Sequence, residues 1–232
     1  TTVKVRILPP ANGEEDVFYE ETKLHTMKLN GTWNYFRCRK ATDGENCPIC
    51  ETYYGLYDRV NKREAQGLPV DHLVKIAREI KPKDRFFSNV LNRENGKVQV
   101  MSYGKQLFAC ITRGILGDPD DEDIEPLGDV TDLKKGFDFK VKKYRDEKNF
   151  IGFTTSVFAP TATPLAKASE VDGIMGQLHD LKAEVSSSDY DKMAEVAKII
   201  AATPDPEEEG SPAQGEQAST EDFRASLKNL KN

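Results

Sequence analysis

A histidine and three cysteines lie close together in residues 25–50, which read HTMKLNGTWNYFRCRKATDGENCPIC. The Cys47-Pro48-Ile49-Cys50 turn can hold two thiolates on one metal ion. The Asn30-Gly31 pair predicts a two-residue hairpin turn, which can bring His25 and Cys38 beside those thiolates. Four nitrogen and sulfur ligands complete the tetrahedral shell of zinc and leave no position for an activated water. The segment therefore predicts one structural Zn²⁺ held by His25, Cys38, Cys47 and Cys50.

Two other interpretations of Cys47 and Cys50 are a disulfide and a redox pair of the thioredoxin type. A redox pair of that type is expected beside a βαβ pattern, which the surrounding sequence does not show. A third cysteine and a histidine also lie within reach. These observations favour the metal site.

Short β-rich runs and helices surround this segment. Val3, Val5 and Ile7 alternate with basic residues, which predicts a first strand. Further predicted strands cover residues 85–92, 97–103, 137–142 and 150–158, and predicted helices cover residues 51–66, 71–80, 104–116, 170–183 and 189–202. The pattern predicts a β-rich α+β fold. Several short strands with a late helix are consistent with a small barrel, but periodicity alone does not separate a barrel from a sandwich.

The net charge of −6 hides an uneven distribution of charge along the chain. Residues 1–160 carry 26 Lys and Arg against 25 Asp and Glu, whereas residues 161–232 carry 7 against 14. Within the first part, residues 118–132 contribute eight acids and no base. A basic body with separate acidic segments suits a protein that binds a polyanion. An ordinary solvated charge distribution is the alternative.

Basic and aromatic residues are interleaved in two clusters, within residues 75–113 and 134–150. Single strands favour this combination, because cations neutralise phosphates and flat rings stack on unpaired bases of any identity. Phe86 and Phe87 are neighbours on a predicted strand and point to opposite faces, so at most one ring easily faces a groove. Core packing of the rings is the alternative. The candidate DNA-binding residues are Lys81, Lys83, Arg85, Phe86, Phe87, Tyr103, Lys105, Lys140, Lys142, Lys143, Tyr144 and Phe150.

Over residues 1–160 the chain shows a specific order of motifs. They are Val5-Arg6-Ile7-Leu8-Pro9, His25, Asn30-Gly31, Trp33, Cys38, Cys47-Pro48-Ile49-Cys50, the run from Lys81 to Leu91, Gly96-Lys97-Val98 and Tyr103-Gly104-Lys105. In this order the chain resembles the helix-destabilising, single-stranded DNA-binding proteins of T-even-like bacteriophages, the gene 32 type.

The resemblance implies an oligonucleotide-binding (OB-type) barrel with an inserted zinc-binding subdomain, and a DNA cleft between them. It implies a DNA-binding core over residues 1–160, with the zinc subdomain at about 21–80. A C-terminal helical segment over 161–203 and an acidic, disordered tail over 204–232 would follow. Lys81, Lys83, Phe86 and Phe87 match family positions that line the cleft; the other DNA contacts carry over less directly.

The implied function is to coat and protect single-stranded DNA in phage replication, recombination and repair, without catalysis. Replication and recombination proteins are the expected partners of the acidic tail, and self-association along DNA is a further expected interaction. Family members carry a basic N-terminal arm for cooperative binding, whereas the printed sequence begins in the first predicted strand. No apolar run approaches the roughly 18 residues of a membrane span, so we expect a soluble protein with no membrane partner. The resemblance implies that it acts in the cytoplasm of the infected host.

Two other function classes remain as alternatives. One is a zinc-stabilised protein-interaction or RNA-binding module. The other is a zinc hydrolase or deaminase, which needs an open coordination position and a carboxylate base. Thr26 and Met27 follow His25, so the H-x-E part of the deaminase signature is absent at that histidine.

Overall fold

The computed structural model describes residues 1–10, 17–29, 31–118, 120–121 and 124–204. Its strands are β1 (Thr2–Ile7), β2 (Glu20–Leu29), β3 (Thr32–Arg37), β4 (Lys83–Asn92), β5 (Val98–Tyr103), β6 (Asp138–Lys142), β7 (Tyr144–Arg145), β8 (Ile151–Gly152) and β9 (Val157–Phe158). Its helices are α1 (Arg39–Thr42), α2 (Pro48–Ala65), α3 (Asp71–Ile80), α4 (Lys105–Leu116), α5 (Ala168–Met175), α6 (Leu181–Glu184) and α7 (Tyr190–Ala201). The predicted β-rich α+β class is confirmed. Most of the predicted acidic tail lies outside the described residues.

The chain forms two compact units. The first unit combines Thr1–Lys23 with Asp84–Ser186, and the second combines Leu24–Lys83 with the chain from Ser187 onward. The C-terminal helices are therefore divided, with α5 and α6 in the first unit and α7 in the second. The boundaries predicted at residues 160 and 203 stay predictions.

The sheet of the first unit is built around β1. Strand β1 pairs antiparallel with β4 on one side and with β6 on the other, so that Val5 lies opposite both Asn92 and Phe139. Strand β5 pairs with β4, and β9 pairs with β6. Among the described residues no pairing joins β5 to β9, so the sheet is open there and the OB-type barrel stays a prediction.

The strand predicted over residues 150–158 is two short strands in the structure. Strand β8 pairs with β7, whereas β9 pairs with β6. A turn separates them, in which the Ser156 N–H donates to the Phe153 carbonyl at 2.9 Å. Only the second half of the predicted strand is therefore the partner of β6.

Helix α4 covers one face of this sheet. Its buried Leu107 and Ile111 pack in one cluster with Val5, Ile7 and Phe139 from the strands. This apolar contact explains the predicted helix over 104–116, because its hydrophobic residues recur on one helical face. The first unit thus has a core of its own.

The second unit packs three helices against the β2–β3 hairpin. Ile49 and Leu56 of α2, Leu73 of α3 and Met193 of α7 share one buried cluster. Helix α7 begins after Asp189, whose side chain accepts a hydrogen bond from the Lys192 N–H at 2.9 Å. Asp189 is therefore the N-cap of α7, a position that aspartate favours.

Within the described residues, no helix is long and apolar enough to cross a membrane.

Candidate metal centre and nucleic-acid interface

Four side chains from separate elements meet in the interior of the second unit. His25 lies on β2, Cys38 directly after β3, Cys47 directly before α2 and Cys50 in the first turn of α2. Their donor atoms all lie within 4.8 Å of one another, and all four residues are buried. All three cysteines are free thiols, so the structure contains no disulfide at this place.

The distances between these donor atoms suit a tetrahedral metal ion. His25 Nε2 lies 3.3 Å from Cys47 Sγ and 3.5 Å from Cys50 Sγ, and the sulfurs of Cys38 and Cys50 are 3.5 Å apart. Zinc–sulfur and zinc–nitrogen bond lengths give tetrahedral edges of about 3.6–3.8 Å, within about 0.3 Å of these separations. The cluster is therefore positioned to bind one metal ion.

A hydrogen bond orients the histidine. The Nδ1 atom of His25 lies 2.7 Å from the carbonyl oxygen of Ile80, the last residue of α3. A carbonyl only accepts, so Nδ1 carries a proton, and Nε2 is the ring nitrogen that faces the sulfurs and would bind a metal. Helix α3 thereby helps to fix the ligand that β2 supplies.

The local sequence also prepares the cysteines for metal binding. Pro48 occupies the first helical position of α2, where its fixed φ favours a helix start, and Cys47 is the N-cap. Hydrogen bonds from the Cys38 and Cys50 side chains lower the pKa of Cys47 below its ordinary value. Cys47 thus favours the thiolate, the form that binds metals, whereas hydrogen bonds with Cys38 and Cys47 raise the pKa of Cys50.

Three of the candidate DNA-binding aromatics are buried. Phe86 stacks on Phe108 with ring centroids 3.9 Å apart, in the core of the first unit. Phe87 is 5% exposed, and the Tyr103 hydroxyl lies 2.8 Å from the Ser88 hydroxyl. Neither phenylalanine ring presents an exposed face to a base, although the sequence analysis allowed one of them to face a groove.

Several other candidates line a groove in the first unit. It encloses about 380 Å³, and its walls include Arg85, Met101, Tyr103, Lys105, Val141 and Ile151. The Arg85 guanidinium lies over Gly104, where a methyl group would come within 3.3 Å of Nη1. We call this feature the first-unit groove. It combines two cations with an apolar floor.

One carboxylate partly neutralises this groove. Asp84 lies 2.7 Å from Lys105 Nζ and 3.5 Å from Lys23 Nζ. The hydrogen bond from Lys105 is the main reason why the pKa of Asp84 lies below its ordinary value. Because Lys105 itself is exposed, a phosphate can compete with Asp84 for it.

The second cluster of candidates lies at the β6–β7 end of the first unit. Lys140 and Lys142 are half-buried on β6, whereas Lys143, Tyr144 and Phe150 are exposed. The Tyr144 ring lies against Gly152, and its hydroxyl is 2.6 Å from the Thr154 hydroxyl. Phe150 is 68% exposed and presents a free ring surface.

Lys81 and Lys83, the two remaining candidates, are exposed and belong to the second unit, next to the end of α3 and the start of β4. The predicted DNA-binding residues are thus divided between the two units. Sequence reasoning also missed two aromatic rings in the second unit, because Trp33 and Tyr35 are exposed on β3. Their spacing of two residues within a predicted hairpin was the signal that could have revealed them.

Comparison with protein families adds one finding. A family model described as "gp32 DNA binding protein like" matches residues 2–203, which include described parts of both units. The comparison with curated proteins found no match.

Proposed function

Because the chain belongs to the gp32 DNA-binding-protein-like family, we propose that it binds single-stranded DNA without sequence preference and without catalysing a reaction. The observation that carries this proposal is the first-unit groove. There Arg85 and Lys105 stand beside apolar side chains in one groove. Single strands expose both phosphates and unpaired base faces. A groove that offers cations to the phosphates and apolar side chains to the bases therefore suits them.

In this proposal the lysine and arginine side chains contact the phosphates. Arg85 and Lys105 lie in the groove, and Lys143 is exposed just beyond β6. Lys140 and Lys142 alternate with the groove residue of β6, so they add positive charge on the other face of that strand. Each phosphate that a lysine or arginine neutralises releases counterions, which makes binding dependent on salt. None of these contacts identifies a base, so they account for binding without sequence preference.

The exposed aromatic rings and the apolar side chains of the groove contact the bases. Phe150 offers a free ring, and Tyr144 on β7 is exposed. Val141 and Ile151 form an apolar wall of the groove. Phe86 and Tyr103 pack together in the core of the first unit and do not offer a ring face to a base. Stacking on flat side chains tolerates any base, as the proposed function requires.

Zinc is the metal that we propose for the cluster of His25, Cys38, Cys47 and Cys50. Three thiolates and one imidazole form a common structural zinc shell, and soft sulfur ligands disfavour magnesium and calcium. A bound zinc ion would join the β2–β3 hairpin to the start of α2. A four-ligand shell leaves no open position, so we assign the site a structural role.

The biological setting rests on the family resemblance. We propose that the protein coats single-stranded DNA during phage replication, recombination and repair, in the cytoplasm of the infected host. An OB-type barrel is the proposed architecture of the DNA-binding core. Acidic residues after Pro204 suit contacts with replication and recombination proteins, and self-association along DNA is the proposed mode of coating.

Fluorescence anisotropy of a labelled oligo-dT strand tests the proposal. The full chain with zinc should bind tightly at low salt, and duplex DNA should compete poorly. The logarithm of the binding constant should fall with the logarithm of salt concentration by about 0.7 for each phosphate contact. Arg85→Ala and Lys105→Ala should each weaken binding, whereas Lys167→Ala, an exposed lysine on the same unit, should not.

Each other outcome has a definite meaning. Equal competition by RNA would favour an RNA-binding module over a DNA-specific protein. Failure of the folded, zinc-loaded chain to bind oligo-dT at low salt would refute the proposal and favour a protein-interaction module.

A further inference from the structure

Two neighbouring aromatic side chains on β3 are exposed. Trp33 is 53% exposed and Tyr35 is 61% exposed, although large aromatic side chains normally pack inside. Neither ring packs on another aromatic ring among the described residues. We call Trp33 and Tyr35 the β3 surface. It lies within the second unit, outside the first-unit groove.

The register of the hairpin puts both rings on one face. Residues that alternate along a strand share a face, so Trp33 and Tyr35 point the same way and Phe36 points the other way. Phe36 lies opposite His25 and packs against the core that contains the metal cluster. His25 and Phe36 share the face of the hairpin that points into this core. Trp33 and Tyr35 lie on the other face and therefore point away from it.

The spacing of the rings suits an extended single strand. Side chains two residues apart on a strand are separated by about 6.8 Å. This distance is about twice the 3.4 Å rise between stacked bases of one DNA strand. Two rings at this spacing can each take one base of a strand whose bases no longer stack on each other. A duplex does not offer such bases.

The charge around the rings also suits a polyanion. Lys28 is exposed and lies directly opposite Trp33 in the hairpin register. Residues 28–40 contain four Lys and Arg and no Asp or Glu. One acid lies near, since Glu79 accepts a hydrogen bond from the Lys28 N–H at 3.0 Å. Lys28 is thus the cation that lies directly beside the rings, on the neighbouring strand of the hairpin.

We propose that the β3 surface is a second base-stacking site for single-stranded DNA, with Lys28 as its phosphate contact. This inference rests on the proposed function and adds a contact surface in the second unit. Trp33 and Tyr35 each stack on one base, and the site accepts any base because every base has a flat face. The metal cluster positions the two rings indirectly. Its His25 holds the inward face of the hairpin, which keeps Trp33 and Tyr35 on the outward face.

Intrinsic fluorescence provides a direct test, because Trp33 is the only tryptophan of the chain. Unlabelled oligo-dT is titrated into the zinc-loaded full chain while tryptophan emission is recorded, and anisotropy of a labelled strand is measured in parallel. Stacking should quench the emission in step with the anisotropy change. Bound DNA should also protect Trp33 from acrylamide quenching. The measurement uses the unaltered protein, so no variant needs to fold.

Variants test the energetic role of the two rings. Trp33→Ala and Tyr35→Ala should each weaken oligo-dT binding by on the order of 5- to 150-fold, the range expected for loss of one stacked base. Tyr54→Ala is the matched control, because Tyr54 is also 53% exposed in the second unit but lies on α2. That control should bind as the unaltered chain does. Equal zinc content would show that each variant keeps the hairpin.

The possible results separate this inference from the proposed function. Binding by anisotropy with unchanged tryptophan emission, unchanged acrylamide quenching and unaffected variants would overturn the β3 site and leave DNA binding in place. The rings would then be available to a protein partner. Absence of binding by anisotropy would overturn both proposals.

Discussion

The three cysteines of the metal cluster are expected to behave differently from Cys110, the fourth cysteine of the chain. Cys50 contributes a buried sulfur to the cluster, whereas Cys110 is half-buried on α4 and lies 3.6 Å from the Phe153 carbonyl oxygen. Burial raises the pKa of the Cys110 thiol, which favours the neutral form. Cys50 suits metal binding because its sulfur lies among the other three ligands, whereas Cys110 lies outside the cluster.

Cys50→Ser should release the metal and lower the melting temperature by on the order of 10 °C, because metal-binding energy is folding energy. Differential scanning calorimetry and metal analysis measure the two effects. Cys110→Ser is the control and should retain one metal ion per chain. An equal melting temperature before and after chelation of the unaltered protein would contradict the structural role.

Asp84 is the residue that we expect to limit DNA affinity. Its carboxylate holds Lys105 at 2.7 Å and Lys23 at 3.5 Å, where phosphates would otherwise bind. Asp84→Asn should tighten oligo-dT binding by about 3- to 10-fold at low salt and add about 0.7 to the salt slope. Anisotropy titrations at several salt concentrations measure both quantities. Asp172→Asn, an exposed acid on α5, serves as the control, and an unchanged salt slope for Asp84→Asn would count against the groove.

Among the elements, α7 shows how a distant segment completes a unit. It follows the metal-site segment by more than a hundred residues, yet Met193, Val196 and Ile200 pack in the same core as α2 and α3. The Ser188 hydroxyl accepts a hydrogen bond from the Arg37 N–H at 2.8 Å, at the end of β3. The segment directly before α7 thus contacts the hairpin that carries His25.

Asp189→Ala should destabilise the second unit by about 1 kcal/mol, because it removes the side chain that caps the first turn of α7. Urea unfolding followed by circular dichroism measures the change. Glu195→Ala on the exposed part of the same helix should change the free energy of unfolding by less than about 0.5 kcal/mol. Equal effects of the two substitutions would argue against the cap.

At the scale of the whole molecule, one buried carboxylate joins distant parts of the first unit. Asp138 on β6 pairs with Lys4 and Arg6 of β1, at 3.0 Å each, and with Arg93 after β4, at 2.8 Å. Arg6 is completely buried and also donates to the Thr163 carbonyl at 2.9 Å. This network connects the three central strands with the segment that leads to α5.

The charge network predicts how stability depends on pH. Burial alone would raise the pKa of Asp138, but hydrogen bonds from Arg93 and Lys4 hold it below its ordinary value. A carboxylate with a depressed folded-state pKa stabilises the fold above its unfolded pKa, and this stability is lost as pH falls through the folded value. The free energy of unfolding should therefore decrease below about pH 4.

Asp138→Asn should remove part of this acid dependence and cost about 3–5 kcal/mol at neutral pH, because Arg6 remains buried without its counter-ion. Urea titrations between pH 3 and pH 7 measure both effects. Asp146→Asn, in an exposed turn of the same unit, is the control for general charge effects. A parallel pH dependence for Asp138→Asn and the unaltered chain would disprove the assignment to Asp138.

The sequence by itself determined the features that depend on neighbouring residues. The spacing of His25, Cys38, Cys47 and Cys50, together with the Asn30-Gly31 turn, predicts a cluster that the structure indeed assembles. The predicted helix over 71–80 coincides with α3. These features follow from periodicity, turn chemistry and capping, which act over a few residues.

Only the tertiary structure decided which side chains lie inside and which segments share a unit. Alternation assigns Phe86 and Phe87 to opposite faces, but neighbours from other elements determine that both are buried. The same packing leaves Trp33 and Tyr35 exposed and brings α7 to α2. Arg85, Val141 and Ile151 meet in one groove only because β4, β6 and β8 come together in the folded unit. Burial and grooves arise from contacts between residues far apart in the chain, and local sequence patterns do not specify those contacts.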